Sequence, residues 1–384
     1  MDNFTFYNPV KIYFGKGQIT TLKDAIPKQS RVMVTYGQGS IKQNGIYDQI
    51  MHALSDFNVI EFGGIEPNPS YETLMSAIQL ARKEKIDFLL AVGGGSVIDG
   101  TKFIAAAAPF KGDEWDILAK HAKITQALPL GCVLTLPAAG SEFNSGAVIS
   151  KKATNDKLVF GSSLVFPRFA VLDPLLTCSL SPRQTTNGII DAFVHTTEQY
   201  LTYPADAPLQ DRFAEGILHT LIEEAPKVLQ NPQDYNARAN IMWCAAMALN
   251  GIIGIGVPQD WSTHMIGHEI TACFGLDHGQ TLAIILPSVL RVQRTQKHVK
   301  LLQYGERIFG ITHGNEDDRI ENAITKTSDF FSSLGVKLKL RDYSIGETAV
   351  NTLLKQLERH EMVALGEQGK VDLAESAKIL KDAL

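Results

Sequence analysis

No apolar run in this sequence approaches the roughly 20 residues that a membrane-spanning helix needs, so no membrane partner is expected. Basic residues do not outnumber acidic ones. Lys and Arg total 36 against 41 Asp and Glu, and the net charge of −5 argues against a nucleic-acid binder, which would carry a basic face. Cysteine is scarce. Cys132, Cys178, Cys244 and Cys273 lie far apart, form no CxxC, and read as free thiols of a reducing cytoplasm. The opening stretch Met1-Asp-Asn-Phe-Thr-Phe-Tyr-Asn-Pro has neither a basic n-region nor an apolar h-region, which predicts no secretory signal. Internal repeats, low-complexity tracts and long linkers are also missing.

What is present is an ordinary globular balance, 45% apolar and 20% charged, over 384 residues. That length suits two domains. Residues 1–16 alternate like a strand through Phe4, Phe6, Val10, Ile12 and Phe14. Arg31–Tyr36, Asn58–Phe62, Asp87–Val92, Leu130–Leu136 and Phe169–Asp173 are further apolar runs that end at turn residues, and Gly161–Pro167 is another candidate strand. Helical periodicity falls between several of them, at Ile46–Leu54, after the cap Ser70, and at Val97–Ala108. Such alternation predicts a parallel sheet covered on both faces. After Ser181-Pro182 helical periodicity dominates, at Thr185–Tyr200, Asp211–Leu229, Tyr235–Asn250 and from Leu282 onward. A boundary near 180 is expected, with an α/β domain over 1–180 and an all-α domain over 181–384.

Two glycine loops follow strands. Gly37-Gln-Gly39-Ser40 is a poor GxGxxG match, since Lys42 stands at the third glycine. Glu61, about twenty residues on, could be a ribose-binding acid or an ordinary strand residue. Gly93-Gly94-Gly95-Ser96 sits between a strand and a helix start. Bare backbone N–H groups and the Ser96 hydroxyl suit a pyrophosphate there, although a tight connection without ligand has the same composition. Asp99, one turn in, suits a ribose or amide better than an anion. Thr135-Leu-Pro-Ala-Ala-Gly-Ser141-Glu-Phe-Asn144 offers hydroxyls to a sugar or nicotinamide edge, or is a plain polar loop. Lys157 reads as a lone solvated cation.

Ten histidines are present, and His264, His268 and His278 fall close together. Asp191 and His195 are four apart, as are His264 and His268, so each pair shares a helix face. One carboxylate and several imidazoles can fill most of a transition-metal coordination sphere. Equally, these could be capping and core histidines with no common centre. Cys273, lying between His268 and His278, could instead be a catalytic thiol.

Taken in order, Gly93–Asp99, Thr135–Glu142, Asp191-x-x-x-His195, His264-x-x-x-His268 and His278-Gly-x-x-x-Ala-x-x-x-Pro287 resemble the iron-containing (group III) alcohol dehydrogenases. Thr35–Lys42 and Gly64–Ser70 resemble most the branch of NADPH-dependent aldehyde reductases and butanol dehydrogenases. The resemblance spans essentially the whole chain. It implies a Rossmann-like N-terminal dinucleotide-binding domain and an all-helical C-terminal domain, in a dehydroquinate-synthase-like two-domain architecture, usually as a homodimer. Asp191, His195, His264 and His278 are then implied as ligands of one divalent metal, Fe(II) or Zn. His268 is implied as a catalytic non-ligand near nicotinamide and substrate. Gly93, Gly94, Gly95 and Ser96 would hold the pyrophosphate, with Asp99, Thr135, Ser141, Asn144 and Lys157 on other parts of the cofactor and Asn68 on its adenosine side.

Relatives that prefer NAD tend to carry an acid after the first long strand. Here that segment is Gly37-Gln-Gly39-Ser40, without an acid, and Lys42 adds charge, so NADP(H) is expected. The expected reaction is reversible hydride transfer between nicotinamide and a short- to medium-chain aldehyde or primary alcohol, with the metal as Lewis acid and His268 as proton relay or orienter. Trp261, Phe143 and Phe274 are expected near the substrate. A dehydroquinate-synthase-like lyase would need clustered Lys or Arg beside the histidine motifs, and none adjoins them. A nucleotide-independent metallohydrolase leaves the glycine loops unexplained.

Overall fold

Short apolar strands rich in Val, Ile and Leu build the first half of the chain, and they pair in parallel. The computed structural model describes residues 1–384. Its strands are β1 (Lys11–Phe14), β2 (Arg31–Tyr36), β3 (Asn58–Phe62), β4 (Phe88–Gly94), β5 (Leu130–Leu136), β6 (Gly146–Lys151), β7 (Asp156–Gly161) and β8 (Phe169–Leu172). Six form one sheet in the order β1-β8-β5-β4-β2-β3, with every pairing parallel. Alternation divides the strand residues between two cores. Met33, Leu89 and Ala91 face one of them, and Val32, Val34, Leu90 and Val92 face the other. A strand buried on both faces needs an unbroken apolar run, which is why β4 reads Phe-Leu-Leu-Ala-Val.

Helices α1 (Ile46–Ala53), α2 (Tyr71–Lys83) and α3 (Gly95–Ala107) belong to this half. On α2 the buried residues are Leu74, Ala77, Ile78 and Ala81, a single helical face. In contrast, α3 is buried almost all round, including Lys102. From β3 the chain returns past β2 to β4, so the topological switch point lies between β2 and β4. Ligands of open α/β sheets bind outside the carboxyl ends of strands at such a point.

The later helices are α4 (Pro182–Tyr200), α5 (Pro208–Gln230), α6 (Tyr235–Ala248), α7 (Ser262–Phe274), α8 (His278–Val292), α9 (His298–Phe309), α10 (Glu316–Ser333), α11 (Thr348–Arg359) and α12 (Leu373–Asp382). Two compact units result. One comprises Tyr7–Ser181 with Asn231–Ala246, and the other Met1–Phe6, Pro182–Gln230 and Met247–Leu384. The exchange of Asn231–Ala246 is invisible to sequence periodicity, because a helix reads the same whichever core it joins, and Met1–Phe6 has no regular structure to read. In the helical unit, Ile266 and Ile270 of α7, Ile284, Ile285 and Val289 of α8, and residues of α11 and α12 share one apolar cluster.

Two local expectations change. The strand-like run over 1–16 narrows to Lys11–Phe14, and Gly161–Pro167 contributes only the last residue of β7 and a single turn, Ser163–Val165. Pro167, which has no N–H to donate to a ladder, fits that break. In its place β6 and β7 form an antiparallel hairpin, in register from Gly146 opposite Gly161 to Lys151 opposite Asp156. Its signal was the alternation of Ala147, Ile149, Leu158 and Phe160 around the turn at Asn155, whose φ is 52°.

Ser70 caps α2. Its hydroxyl accepts from the Thr73 N–H at 3.3 Å and donates to Glu66 at 2.7 Å, and it is fully buried. Ser70→Ala is expected to lower stability by about 1 to 2 kcal/mol in a denaturant titration, and an unchanged midpoint would contradict the capping role.

Candidate active site

In the sheet unit, both glycine loops lie at the switch point. Gly37, Gly39 and Ser40 follow the end of β2. Gly93 and Gly94 end β4, Gly95 starts α3, and Tyr36 of β2 pairs with Val92 of β4. A Cβ on Gly94 would sit 2.9 Å from the Leu136 side chain, so glycine is what lets β4 end against β5. The first turn of α3 thereby carries free N–H groups and no acidic residue. Thr135 is the penultimate residue of β5, between the partners of Gly93 and Gly94. Asn68 joins this group from the Pro-Asn-Pro turn. Its N–H donates to Ser96 Oγ at 3.2 Å, and its side-chain oxygen accepts from Lys157 Nζ at 2.9 Å. Lys157 is therefore a buried, engaged cation rather than a solvated one.

Lys42 and Glu61 also find each other. The ammonium lies 3.1 Å from Glu61, whose carboxylate also accepts from Tyr36 and Tyr47 at 3.0 and 2.6 Å. These bonds hold the Glu61 carboxyl below its ordinary range, against the opposing effect of partial burial. Glu61 is a strand residue whose carboxylate accepts from three donors of its own chain, Lys42, Tyr36 and Tyr47.

Asp99, Ser141 and Asn144 are drawn together by a residue that sequence reasoning missed, Lys102. Its buried ammonium donates to Ser141 Oγ at 2.9 Å, Asn144 Oδ1 at 2.9 Å and the Gly146 carbonyl at 2.7 Å. Asp99 accepts from Ser141 and from the Val148 N–H at 2.9 Å. Burial pushes Lys102 down to about 8 despite Asp99. A lone Lys directly before the apolar run Phe103–Ala108, in a helix buried almost all round, was the available signal. Glu142, 1% exposed, has one carboxyl oxygen without a partner.

In the helical unit, α4 is buried on nearly every residue from Thr185 to Tyr200, yet it carries Asp191, His195 and Glu198. Asp191 Oδ1 is the point of convergence. His195 Nδ1 is 3.2 Å away, His264 Nε2 3.6 Å and His278 Nε2 3.7 Å. Donor atoms of Asp191, His195 and His264 all lie within 4.8 Å of one another. Asp191 Oδ1, His195 Nδ1 and His264 Nε2 are buried without a hydrogen-bond partner. Three orphaned donors aimed at one point would be costly unless a cation satisfied them, and an N/O set of this kind fits a transition metal.

Local structure explains the convergence. A Cβ on Gly279 would lie 2.6 Å from the Asn187 carbonyl, so glycine lets α8 approach α4 and bring His278 to Asp191. Asp277, the residue before α8, accepts from Asn187 at 2.8 Å and pairs with Arg183 at 2.8 Å. Glu198, also missed in the sequence, holds α7. It accepts from the Thr263 N–H at 2.6 Å and bonds His264 Nδ1 through its other oxygen. That bond fixes the ring so that Nε2 faces the cluster. Its signal was spacing, since Glu198 lies three residues after His195 and seven after Asp191, on one helix face. His268 is buried one turn after His264, with its ring 5.2 Å from that of His278. Cys273 and the other cysteines are free thiols, and burial pushes Cys273 up, away from thiolate character.

Burial opposes charge on Asp191, but His195 and His264 more than offset it and hold its carboxyl well below the usual range. Burial lowers His195 to about 4, leaving a neutral imidazole. At His264 burial is outweighed by Glu198 and Asp191, which raise it to about 9.

Burial pushes Glu142 up to about 7 from an ordinary 4.5. A carboxyl with a raised folded pKa takes up a proton on folding, so its contribution falls as pH rises from about 4.5 to 7. Glu142→Gln should flatten that slope and leave the protein roughly 2 to 3 kcal/mol more stable than the parent at pH 8. Denaturant titrations across that range check it, and an unaltered slope would contradict the assignment.

Comparison with known proteins adds to this geometry. A family model described as iron-containing alcohol dehydrogenase matches residues 9–174, and one for the C-terminal region of the same family matches 185–383. The NADPH-dependent aldehyde reductase YqhD of Escherichia coli K12 is 57% identical over all of both chains. A probable NADH-dependent butanol dehydrogenase of Bacillus subtilis is 41% identical over 92% of each chain. The solved structure of NADH-dependent butanol dehydrogenase A from Thermotoga maritima is 32% identical, covers 100% of this chain and 99% of its own, and superposes with a TM-score of 0.95.

Proposed function

We propose, on the premise that the chain belongs to the iron-containing alcohol dehydrogenase family, that it is an NADPH-linked aldehyde reductase working reversibly at one divalent metal. Its substrates are short- to medium-chain aldehydes and the corresponding primary alcohols. The observation that carries this reading is the convergence of buried His195 and His264 and of partly exposed His278 on the buried Asp191 carboxylate.

Asp191, His195, His264 and His278 would hold the metal, and the loops after β2 and β4, with Asn68, Thr135 and Lys157, would hold the nucleotide. When bound, the metal supplies a Lewis acid for the carbonyl oxygen and the nicotinamide supplies the hydride. Imidazole and carboxylate donors suit both Fe(II) and Zn. Within the chain, Glu198 bonds His264 Nδ1 and so orients the ring with Nε2 toward the cluster, where a metal would meet it. His268, buried against the His278 ring, delivers the proton that the product oxygen requires. Lys102 holds Ser141 and Asn144 in place beside α3, and Asn68 ties Ser96 to Lys157. No acid follows β2 to accept from ribose hydroxyls, which favours NADPH, the cofactor in the name of the relative that is 57% identical. The working state is a homodimer in the cytoplasm, a compartment that suits four unbridged cysteines.

His264→Ala should lose metal as measured by elemental analysis, and full metal content in that variant would remove His264 from the ligand set. His268→Ala should keep its metal while turnover falls by about 10²- to 10⁴-fold, the usual contribution of a positioned proton donor. Normal turnover would take His268 out of the mechanism.

For the cofactor, kcat/KM measured with a single aldehyde should be higher for NADPH than for NADH. The reverse order would overturn the cofactor assignment while leaving the fold and metal site untouched.

A further inference from the structure

Trp261 stands immediately before α7 with φ 96° and ψ 3°, a left-handed conformation that a bulky side chain rarely adopts. Such strain persists only where the surroundings over-determine it. Here they do. On one side, Asp260 Oδ1 accepts from both the N–H and the hydroxyl of Ser262, so the chain is closed around Trp261. On the other, the Asp260 N–H donates to the Glu198 carbonyl at 2.9 Å. The remaining Asp260 oxygen lies 2.9 Å from the ammonium of Lys297, which is 2.9 Å from Glu367 and donates to the Leu201 carbonyl at 2.6 Å. Side chains of Lys297, Asp260 and Glu367 are 2%, 3% and 5% exposed, so this charge cluster is sealed from water. The indole is half-buried. Its N–H donates to Gln259 at 3.1 Å, and its ring meets His195 and His264 edge-on, with centroids 6.0 and 5.5 Å apart.

We propose that Trp261 is a specificity-determining residue of the histidine site, and that Lys297 is its positioning residue through the buried clasp with Asp260 and Glu367. The strained turn serves to stand an indole wall against two of the four clustered donors. Since an ordinary core tryptophan needs no left-handed backbone, the strain itself marks the position of the ring as the feature retained. Lys297 lies far from Trp261 in sequence and does not touch the histidines. Its charge acts only by fixing the Asp260 carboxylate, which in turn fixes the backbone on either side of Trp261. The ligand class concerned is the aldehyde of the proposed reaction. The inference rests on that reading for its kinetic arm, and its fluorescence arm rests on the metal site proposed with it.

Three measurements test it. First, Trp261→Gly and Trp261→Ala remove the same ring, but only glycine relieves the backbone. The glycine variant should unfold at the higher denaturant concentration, the reverse of the usual order, and equal or lower stability would overturn the strained turn. Second, Co(II) titrated into metal-free protein should quench tryptophan fluorescence, and Trp261→Phe should abolish most of that quenching while Trp115 and Trp243 remain. Lys297→Met, matched for cobalt stoichiometry, should also reduce it. Quenching unchanged in either variant would separate the indole, or the clasp, from the site. Should Lys297→Met fail to fold, Glu367→Gln tests the same clasp with the ammonium and Asp260 kept. Third, the ratio of kcat/KM for cyclohexanecarbaldehyde over propanal should rise about tenfold in Trp261→Ala, the scale on which pocket shape discriminates. A ratio unchanged within about twofold of the parent would remove Trp261 from specificity. If the parent reduces neither aldehyde with NADPH, the proposed function fails, while the stability and fluorescence arms still judge the turn and clasp.

Discussion

A carboxylate buried among three imidazoles is the constraint on which the helical unit depends. Asp191 is 4% exposed and His195 lies one turn along the same helix, so α4 must pass through the middle of its unit rather than along its surface. The two helices that bring the other imidazoles are fitted to that helix. Gly279 removes a side chain so that α8 can come close, Asp277 anchors its start to Asn187, and Glu198 reaches from α4 to align His264 on α7. Polar groups left without partners at the centre are costly in an apolar surround. Their survival in an otherwise well-packed unit is the physical argument for a cation there.

The sheet unit solves a different problem. Its site is made of backbone rather than side chains. The glycines at the end of β4 allow close packing against β5 and leave the first turn of α3 bare, where an anion can be received. Polar side chains around this loop are held by one buried lysine. Lys102 occupies its donors on Ser141, Asn144 and the Gly146 carbonyl, and its charge partly offsets the burial that raises the Asp99 carboxyl above its ordinary range. Losing one member of such a network leaves the others with unmet bonds, so these residues act as a unit.

Most of the secondary structure was legible because strands buried on both faces are continuous apolar runs and amphipathic helices keep their period, as in β2, β4 and α2. The hairpin of β6 and β7 was harder, since short alternation around Asn155 resembles a polar loop until the two halves are paired. Among candidate site residues, Asp191, His195 and the His264–His268 pair stood out through helical spacing. Glu198 shared that face and was overlooked only because a carboxylate in a helix is usually solvated. Lys157 illustrates the opposite error. A cation beside a turn is usually solvated too, but the hairpin folds this one onto Asn68.

By itself the sequence determined local geometry: which residues share a helix face, where a strand meets a glycine, and that the chain changes from α/β to all-helical near Ser181-Pro182. Only the tertiary structure decided which faces meet. Asp191 and His264 are far apart in the chain, and nothing local to either specifies a separation of 3.6 Å. Packing of α4, α7 and α8 specifies it, through a glycine contact and a carboxylate bond between helices. The same holds for Trp261. Its position before the His264 motif places it near the substrate in the sequence reading, but says nothing of its backbone. Its left-handed backbone and its place against His195 and His264 depend on charges supplied by Lys297 and Glu367, which only the folded chain brings to it.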